Sequence, residues 1–305
     1  MRDVRTSTAS RFDISELAML ATVLIWAGNN VIVKGVVDTI APIPYVFCRF
    51  LFVVVIVFGL YAVRGSIPVP PRTDIRWFLL TGLTGYALYN ALFTAGLKYT
   101  TAFSTAVMIS SAPLLTSVLA RVLGIESLSP RQWVGFVLSL LGVIVFVSDK
   151  LVEGNPAWGD LLSFLAAISF AVYSLATRPI VQRHGSLMVT AWSSLIGLAM
   201  IAPFAAVPLI EQDWGSLGVP EWGALLYSSA ISMLLAYTIW GWAIQRGGVA
   251  RTALFLYLIP ILTGVMSFLF FDESFGIMKI VGAMLVFAGV LLARTRFRLL
   301  RDSAQ

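Results

Sequence analysis

The side chains here that could handle a small molecule are rings and amides rather than acids and bases. Trp26 and Asn30 stand one helical turn apart, and Tyr86, Tyr89 and Asn90 follow the i, i+3, i+4 spacing that puts side chains on one helical face. Phe170, Tyr173 and Ser174 repeat that spacing, and Tyr237 and Trp240 are again one turn apart. Ser110 and Ser111 come shortly before Pro113, and Tyr257 shortly before Pro260. Such groups stack on apolar surfaces and hydrogen-bond amino or carboxylate groups, and each ring face attracts a cation by about 0.5–2 kcal/mol. Asn29 and Asn30 are adjacent and would point about 100° apart on a helix. One is expected to bond a neighbouring helix and the other to face a bound molecule.

Hydrolytic or metal chemistry would need a nucleophile with its base, or a cluster of ligands. The chain has a single His, His184, a single Cys, Cys48, and no Gly-rich phosphate loop. No catalytic residue, metal site or cofactor is therefore expected. Cys48 cannot form an internal disulfide and should pack as a small apolar side chain. His184 falls in a turn, where a solvated role is expected.

The elements that must position these groups are set by composition. Of 305 residues, 59% are hydrophobic and 12% charged, against about 25% charged in an ordinary soluble domain. The apolar residues form blocks that recur about every 30 residues. The blocks predict an all-α integral membrane protein with ten transmembrane helices: Leu17–Val33, Pro44–Val63, Ile75–Leu97, Ala102–Leu123, Trp133–Val147, Trp158–Thr177, Leu187–Leu209, Trp222–Ile244, Thr252–Phe271 and Ile277–Ala293. The first 16 residues carry Arg2, Arg5 and Arg11, but no small-residue cleavage site follows the first block, which is read as a retained helix.

Charge gives an orientation. If the chain starts inside, every cytoplasmic segment collects arginine, from Arg2 through Arg64, Arg121 and Arg183 to Arg301. The outer segments hold Lys34, Lys98, Lys150 and Lys279, and Arg49 alone falls within a span. Both termini are then cytoplasmic. The net charge of +6 is spread over these turns, so lipid orientation accounts for it. The tail Arg294–Arg301 can anchor to anionic headgroups, and no nucleic-acid partner is implied.

Thr105–Val143 laid over Thr252–Val290 without a gap matches Thr105/Thr252, Pro113/Pro260, Thr116/Thr263, Glu126/Glu273, Ser127/Ser274, Gly135/Gly282 and Gly142/Gly289. With a one-residue shift Tyr89 matches Tyr237, and a fainter echo joins Glu16 to Asp160 and Trp26 to Phe170. The chain thus reads as two five-helix repeats, residues 1–150 and 151–305, with a seam near Asp149–Gly154. Because five is odd, the second repeat must be inverted, as in many secondary transporters. Pro113 and Pro260 then sit at matching depth in the fourth and ninth spans. They are expected to kink those helices as hinges where freed backbone lines a cavity. The paired glycines, two turns apart on one face, mark the fifth and tenth spans as close-packed scaffold.

Taken together, "LIWAGNNVIVK", Arg49, "GIESLSPRQWVGFVLSLLGV" and "FDESFGIMKIVGAMLVFAGV" resemble the drug/metabolite transporter superfamily, in particular EamA-type ten-helix bacterial exporters, and among these most the aromatic amino-acid exporters. The resemblance covers Leu17 to Ala293. It implies export of amino acids and other small metabolites across the inner membrane by alternating access. It also implies a central cavity lined by spans one, three, four, six, eight and nine. The expected substrate contacts there are Trp26, Asn30, Tyr86, Tyr89, Asn90, Ser110, Phe170, Tyr173, Tyr237, Trp240 and Tyr257. A monomer in the bilayer is expected.

No Asp or Glu falls at mid-span, Glu16 and Asp160 being near helix ends. A proton-coupled carrier usually keeps a buried acid or His, so facilitated diffusion or exchange is expected. Arg49 either contacts an anion or reaches for the membrane surface and helix-end carbonyls. Three other readings remain open. A nucleotide-sugar or phosphate-linked exchanger would need fixed cations, and the fourth and ninth spans carry none at mid-depth. A cationic drug exporter would use the same rings. A non-transporting membrane protein would be told apart by flux.

Overall fold

The computed structural model describes residues 14–124, 129–152, 157–273 and 275–294. Glu126, Ser127, Ser274, the seam residues Glu153 and Gly154, and Arg2, Arg5, Arg11, Arg296, Arg298 and Arg301 lie outside the described residues. Among the described residues every regular element is helical: α1 (Ile14–Val36), α2 (Pro42–Val63), α3 (Ile75–Thr81), α4 (Tyr89–Tyr99), α5 (Ala102–Ile109), α6 (Ala112–Val122), α7 (Pro130–Val152), α8 (Trp158–His184), α9 (Ser186–Glu211), α10 (Val219–Leu226), α11 (Ala236–Ala253), α12 (Leu258–Phe271) and α13 (Ile277–Arg294).

Among the described residues, six helical runs are long and apolar enough to cross a bilayer: α1, α2, Ala102–Val122, α8, α9 and Val219–Arg246. Shorter apolar stretches are Pro130–Phe146, Phe255–Phe271 and Ile277–Gly289. The outer faces carry bare apolar side chains such as Phe204 at 72% and Ile210 at 85% exposure. Only lipid tails would cover such a surface without penalty. The chain is a multi-pass membrane protein. The fifth predicted span, short in the sequence, is a longer helix, Pro130–Val152.

Several helices are interrupted. A π-helix, Gly82–Leu88, joins α3 to α4, and a second, Tyr227–Leu235, joins α10 to α11. The shift that aligns Tyr89 with Tyr237 brings these two segments into overlap. A break at Ser110 and Ser111 separates α5 from α6, and the 3-10 turn Leu254–Tyr257 precedes α12. This corrects the expected mid-helix kinks. Pro113 and Pro260 each stand in the first turn of a new helix, where the missing N–H has no partner to lose.

The glycine pairs pack backbone on backbone. A Cβ on Gly282 would lie 2.5 Å from the Phe146 nitrogen, one on Gly289 2.4 Å from the Gly135 carbonyl, and one on Gly142 2.8 Å from the Gly282 carbonyl. Contacts that pair 135 with 289 and 146 with 282 mean that α7 and α13 run antiparallel. Ser139 Oγ adds a bond to the Val286 carbonyl at 3.0 Å. Helices α2 and α9 are antiparallel too: the Ala41 N–H donates to Gln212 Oε1 at one end, and the Phe58 and Trp192 rings meet edge to face further along.

Polar side chains tie the helix ends together. Lys34 Nζ donates to the Leu97 carbonyl, Thr100 Oγ1 to Asp160 Oδ1, and the Ala102 N–H to Glu273 Oε1. At another set of ends Asp74, just before α3, pairs with Arg183 and lies 2.7 Å from His184 Nε2 at the close of α8. His184 is therefore not a solvated turn residue: its side chain is 15% exposed and its ring also packs near Phe78. The His184 hydrogen bond, with help from Arg183, holds the Asp74 carboxyl below the usual carboxylate range.

Candidate functional site

A small cavity lies among the interrupted helices. Its wall is built from Trp26, Asn29, Asn30, Arg49, Tyr89, Asn90, Phe93, Ile109, Phe170, Ser232, Tyr237, Leu256 and Ile259. These residues come from seven helices, the second π segment and the 3-10 turn, so the cavity forms where α1, α2, α4, α5, α8, α11 and α12 converge.

The rings brace one another. Trp26 meets Tyr237 at 5.7 Å between centroids and nearly edge to face, and Tyr89 meets Phe170 at 5.2 Å. Trp26 Nε1 donates to the Ser232 carbonyl at 3.0 Å, which fixes the indole against the π segment. A π turn shifts carbonyls off the regular ladder, so side chains can reach them.

Both amides of α1 bond neighbouring helices, contrary to the expected division of labour. Asn30 Nδ2 donates to Thr263 Oγ1 at 3.1 Å, and Asn29 Oδ1 accepts from Ser228 Oγ at 2.8 Å. Both also line the cavity. Asn90 Nδ2 donates to the Gly85 and Tyr86 carbonyls of the first π segment, which leaves its Oδ1 to accept from Arg49 Nη1 at 3.0 Å. Arg49 Nε donates to the Ser228 carbonyl at 3.0 Å and Nη2 to Ser232 Oγ at 3.4 Å. Arg49 is 2% exposed. It points inward and does not reach for the membrane surface. Its guanidinium joins the second π segment to Asn90 of α4, which is itself anchored on carbonyls of the first π segment.

Of the expected contacts, Trp26, Asn30, Tyr89, Asn90, Phe170, Tyr237 and Arg49 line the cavity. Others do not. Tyr86 is fully buried among Phe50, Tyr173 and Tyr237, and Tyr173 presses its ring onto Gly85. Trp240 lies behind Trp26 and Phe170. Ser110 Oγ turns back to the Val107 carbonyl, and Ser174 Oγ to that of Phe170. Tyr257 is half-buried and outside the wall, as are Pro113 and Pro260. Sequence reasoning missed Phe93, Ile109, Ser232, Leu256 and Ile259. One signal was available: Ile109 and Leu256 are related by the offset that pairs Pro113 with Pro260, and both line the wall.

The chain was compared with known proteins. It is 28% identical to the uncharacterized transporter YyaM of Bacillus subtilis over 73% of this chain and 74% of that protein. It is 25% identical to an uncharacterized transporter of Archaeoglobus fulgidus over 92% of this chain and 98% of the relative. A probable terminal-alkyne amino-acid exporter of Streptantibioticus cattleyicolor is 25% identical over 92% and 93% of the two chains. A crystal structure superposes with a TM-score of 0.66 at 19% identity, covering 94% of this chain and 99% of the other, which supports the fold. The EamA-like transporter family matches twice, at residues 13–148 and again at 157–295, and the chain belongs to that family.

Proposed function

We propose that this transporter exports small metabolites, most of all aromatic and other neutral amino acids, by alternating access of the aromatic cavity. The observation that carries the reading is the cavity itself: rings and amides contributed by residues from both of the segments that match the family. The relative from Streptantibioticus cattleyicolor, a probable amino-acid exporter, favours the same cargo class.

In this proposal ten helices cross the inner membrane as two inverted five-helix repeats, 1–150 and 151–305, with both termini cytoplasmic. The support is geometric. Spans two and seven, and five and ten, are counterparts in the repeat, and each pair packs antiparallel. The bonds Lys34–Leu97, Thr100–Asp160, Ala102–Glu273 and Asp74–Arg183 each join turns that the arginine pattern assigns to one side. The matched breaks before Pro113 and Pro260 serve as hinges. Among the described residues of the cavity wall there is no Asp, Glu or His. Transport accordingly runs as facilitated diffusion or exchange, and the protein acts as a monomer.

Proteoliposome flux tests the proposal. Labelled L-phenylalanine should exchange across the bilayer with no pH gradient imposed. Uptake that vanishes without a gradient would remove the uncoupled mechanism, and no flux of any neutral amino acid would remove the cargo class.

A further inference from the structure

We infer that Arg49 is a prebuilt carboxylate-binding group and that the cavity selects cargo bearing a single carboxylate. The inference deepens the proposed amino-acid reading and rests on it for the presence of cargo in this cavity.

A guanidinium carries five N–H donors. Three of those of Arg49 are taken, by the Ser228 carbonyl, Asn90 Oδ1 and Ser232 Oγ, all of them neutral. No carboxylate among the described residues lies within ion-pair distance, although the side chain is almost fully buried. A buried cation left without an anion is costly, and such charges inside a membrane mark functional sites. The remaining donors belong to a residue of the cavity wall. Tyr237 belongs to the same wall, and its buried hydroxyl makes no hydrogen bond of normal geometry.

The group is also held in place before cargo arrives. Asn90 is anchored by two carbonyls of the first π segment, and Ser228 and Ser232 belong to the second. The guanidinium thus loses little freedom when an anion binds, which favours affinity. The charge balance also fixes the class. One cation with no acid among the described wall residues suits a monoanion, repels a cationic drug, and falls short of a di- or triphosphate.

The test uses detergent-purified full-length protein and three probes of similar size: L-phenylalanine, phenylalaninol and 3-phenylpropionate. Affinity is read by calorimetry on wild type, Arg49→Gln and Arg49→Lys. The expected result is that wild type binds phenylalanine at least about tenfold more tightly than phenylalaninol. In Arg49→Gln that preference should fall to within about twofold, with Arg49→Lys between. Should the variants fail to fold, the wild-type preference alone decides. Equal binding of phenylalanine and phenylalaninol would overturn the Arg49 assignment and leave the cargo reading standing. Binding of 3-phenylpropionate without phenylalanine would support Arg49 and overturn the amino-acid reading. Binding of none of the three would overturn both.

Discussion

The α7–α13 pair and the cavity wall are built on opposite principles. In α7–α13 glycines let the two backbones touch, and there is no room for one further carbon at Gly142, Gly282 or Gly289. Around the cavity every contributing long helix is interrupted, by a π segment, a serine break or a 3-10 turn, or meets a partner that is. Several polar atoms there, such as the Tyr237 hydroxyl and Trp240 Nε1, are buried without a partner. Close packing resists rearrangement because it leaves no intermediate geometry. Broken helices with unpaired polar atoms can exchange partners at low cost. In the proposed function, the contrast separates a fixed seam from the parts that bend around cargo.

The largest effect should come from filling the seam. Gly282→Val drives a side chain into the Phe146 backbone. Overpacking of this kind costs about 1–3 kcal/mol or more when backbone must move. Loss of monodisperse protein, or a large drop in melting temperature, is expected by fluorescence-detected chromatography. A Gly282→Val protein as stable as wild type would dissolve the contrast.

Next comes the cavity. Trp26→Ala and Tyr89→Ala remove rings from the wall, and should weaken phenylalanine binding by about tenfold or more while the protein stays monodisperse. Normal binding in both variants would move the site elsewhere.

A smaller effect belongs to the Asp74 clamp. Its carboxyl titrates below the usual range in the folded protein. The clamp's contribution to stability is therefore complete above the ordinary carboxylate pKa, about 4, and is lost as pH falls through the depressed native value. Wild type should lose thermal stability on acidification through that window, and Asp74→Asn should lack that part of the slope. Identical pH profiles would remove the clamp from the account.

Gly59→Ala should do least. Nothing lies within 4 Å of a Cβ at this site in α2, so only helix propensity changes, and stability should rise by up to about 1 kcal/mol.

The same contrast explains what the sequence made legible. Apolar block length located the long helices, and repetition revealed the glycine seam and paired the two proline breaks, because those features recur at one offset. Tyr89 and Tyr237 were found the same way and both reach the wall. Side-chain direction was not legible. Ser110 looks identical in sequence whether it faces cargo or its own helix, and only the backbone break turns it to Val107. The Asp74–His184 contact joins residues 110 positions apart in the sequence, so no local pattern announces it. Nor does any propensity distinguish a π segment from α-helix in "GLTGYAL" or "YSSAISMLL". The inward aim of Arg49 depends on those segments and was hidden with them.

The most direct test of the central idea is sidedness at the two related turns. Cysteines placed singly at Glu126 and Glu273, in a Cys48→Ser background, would be labelled in intact cells by a membrane-impermeant maleimide. Inverted halves around a shared cavity predict labelling from outside at 273 and only after permeabilisation at 126. Labelling of both positions from the same side would contradict the account.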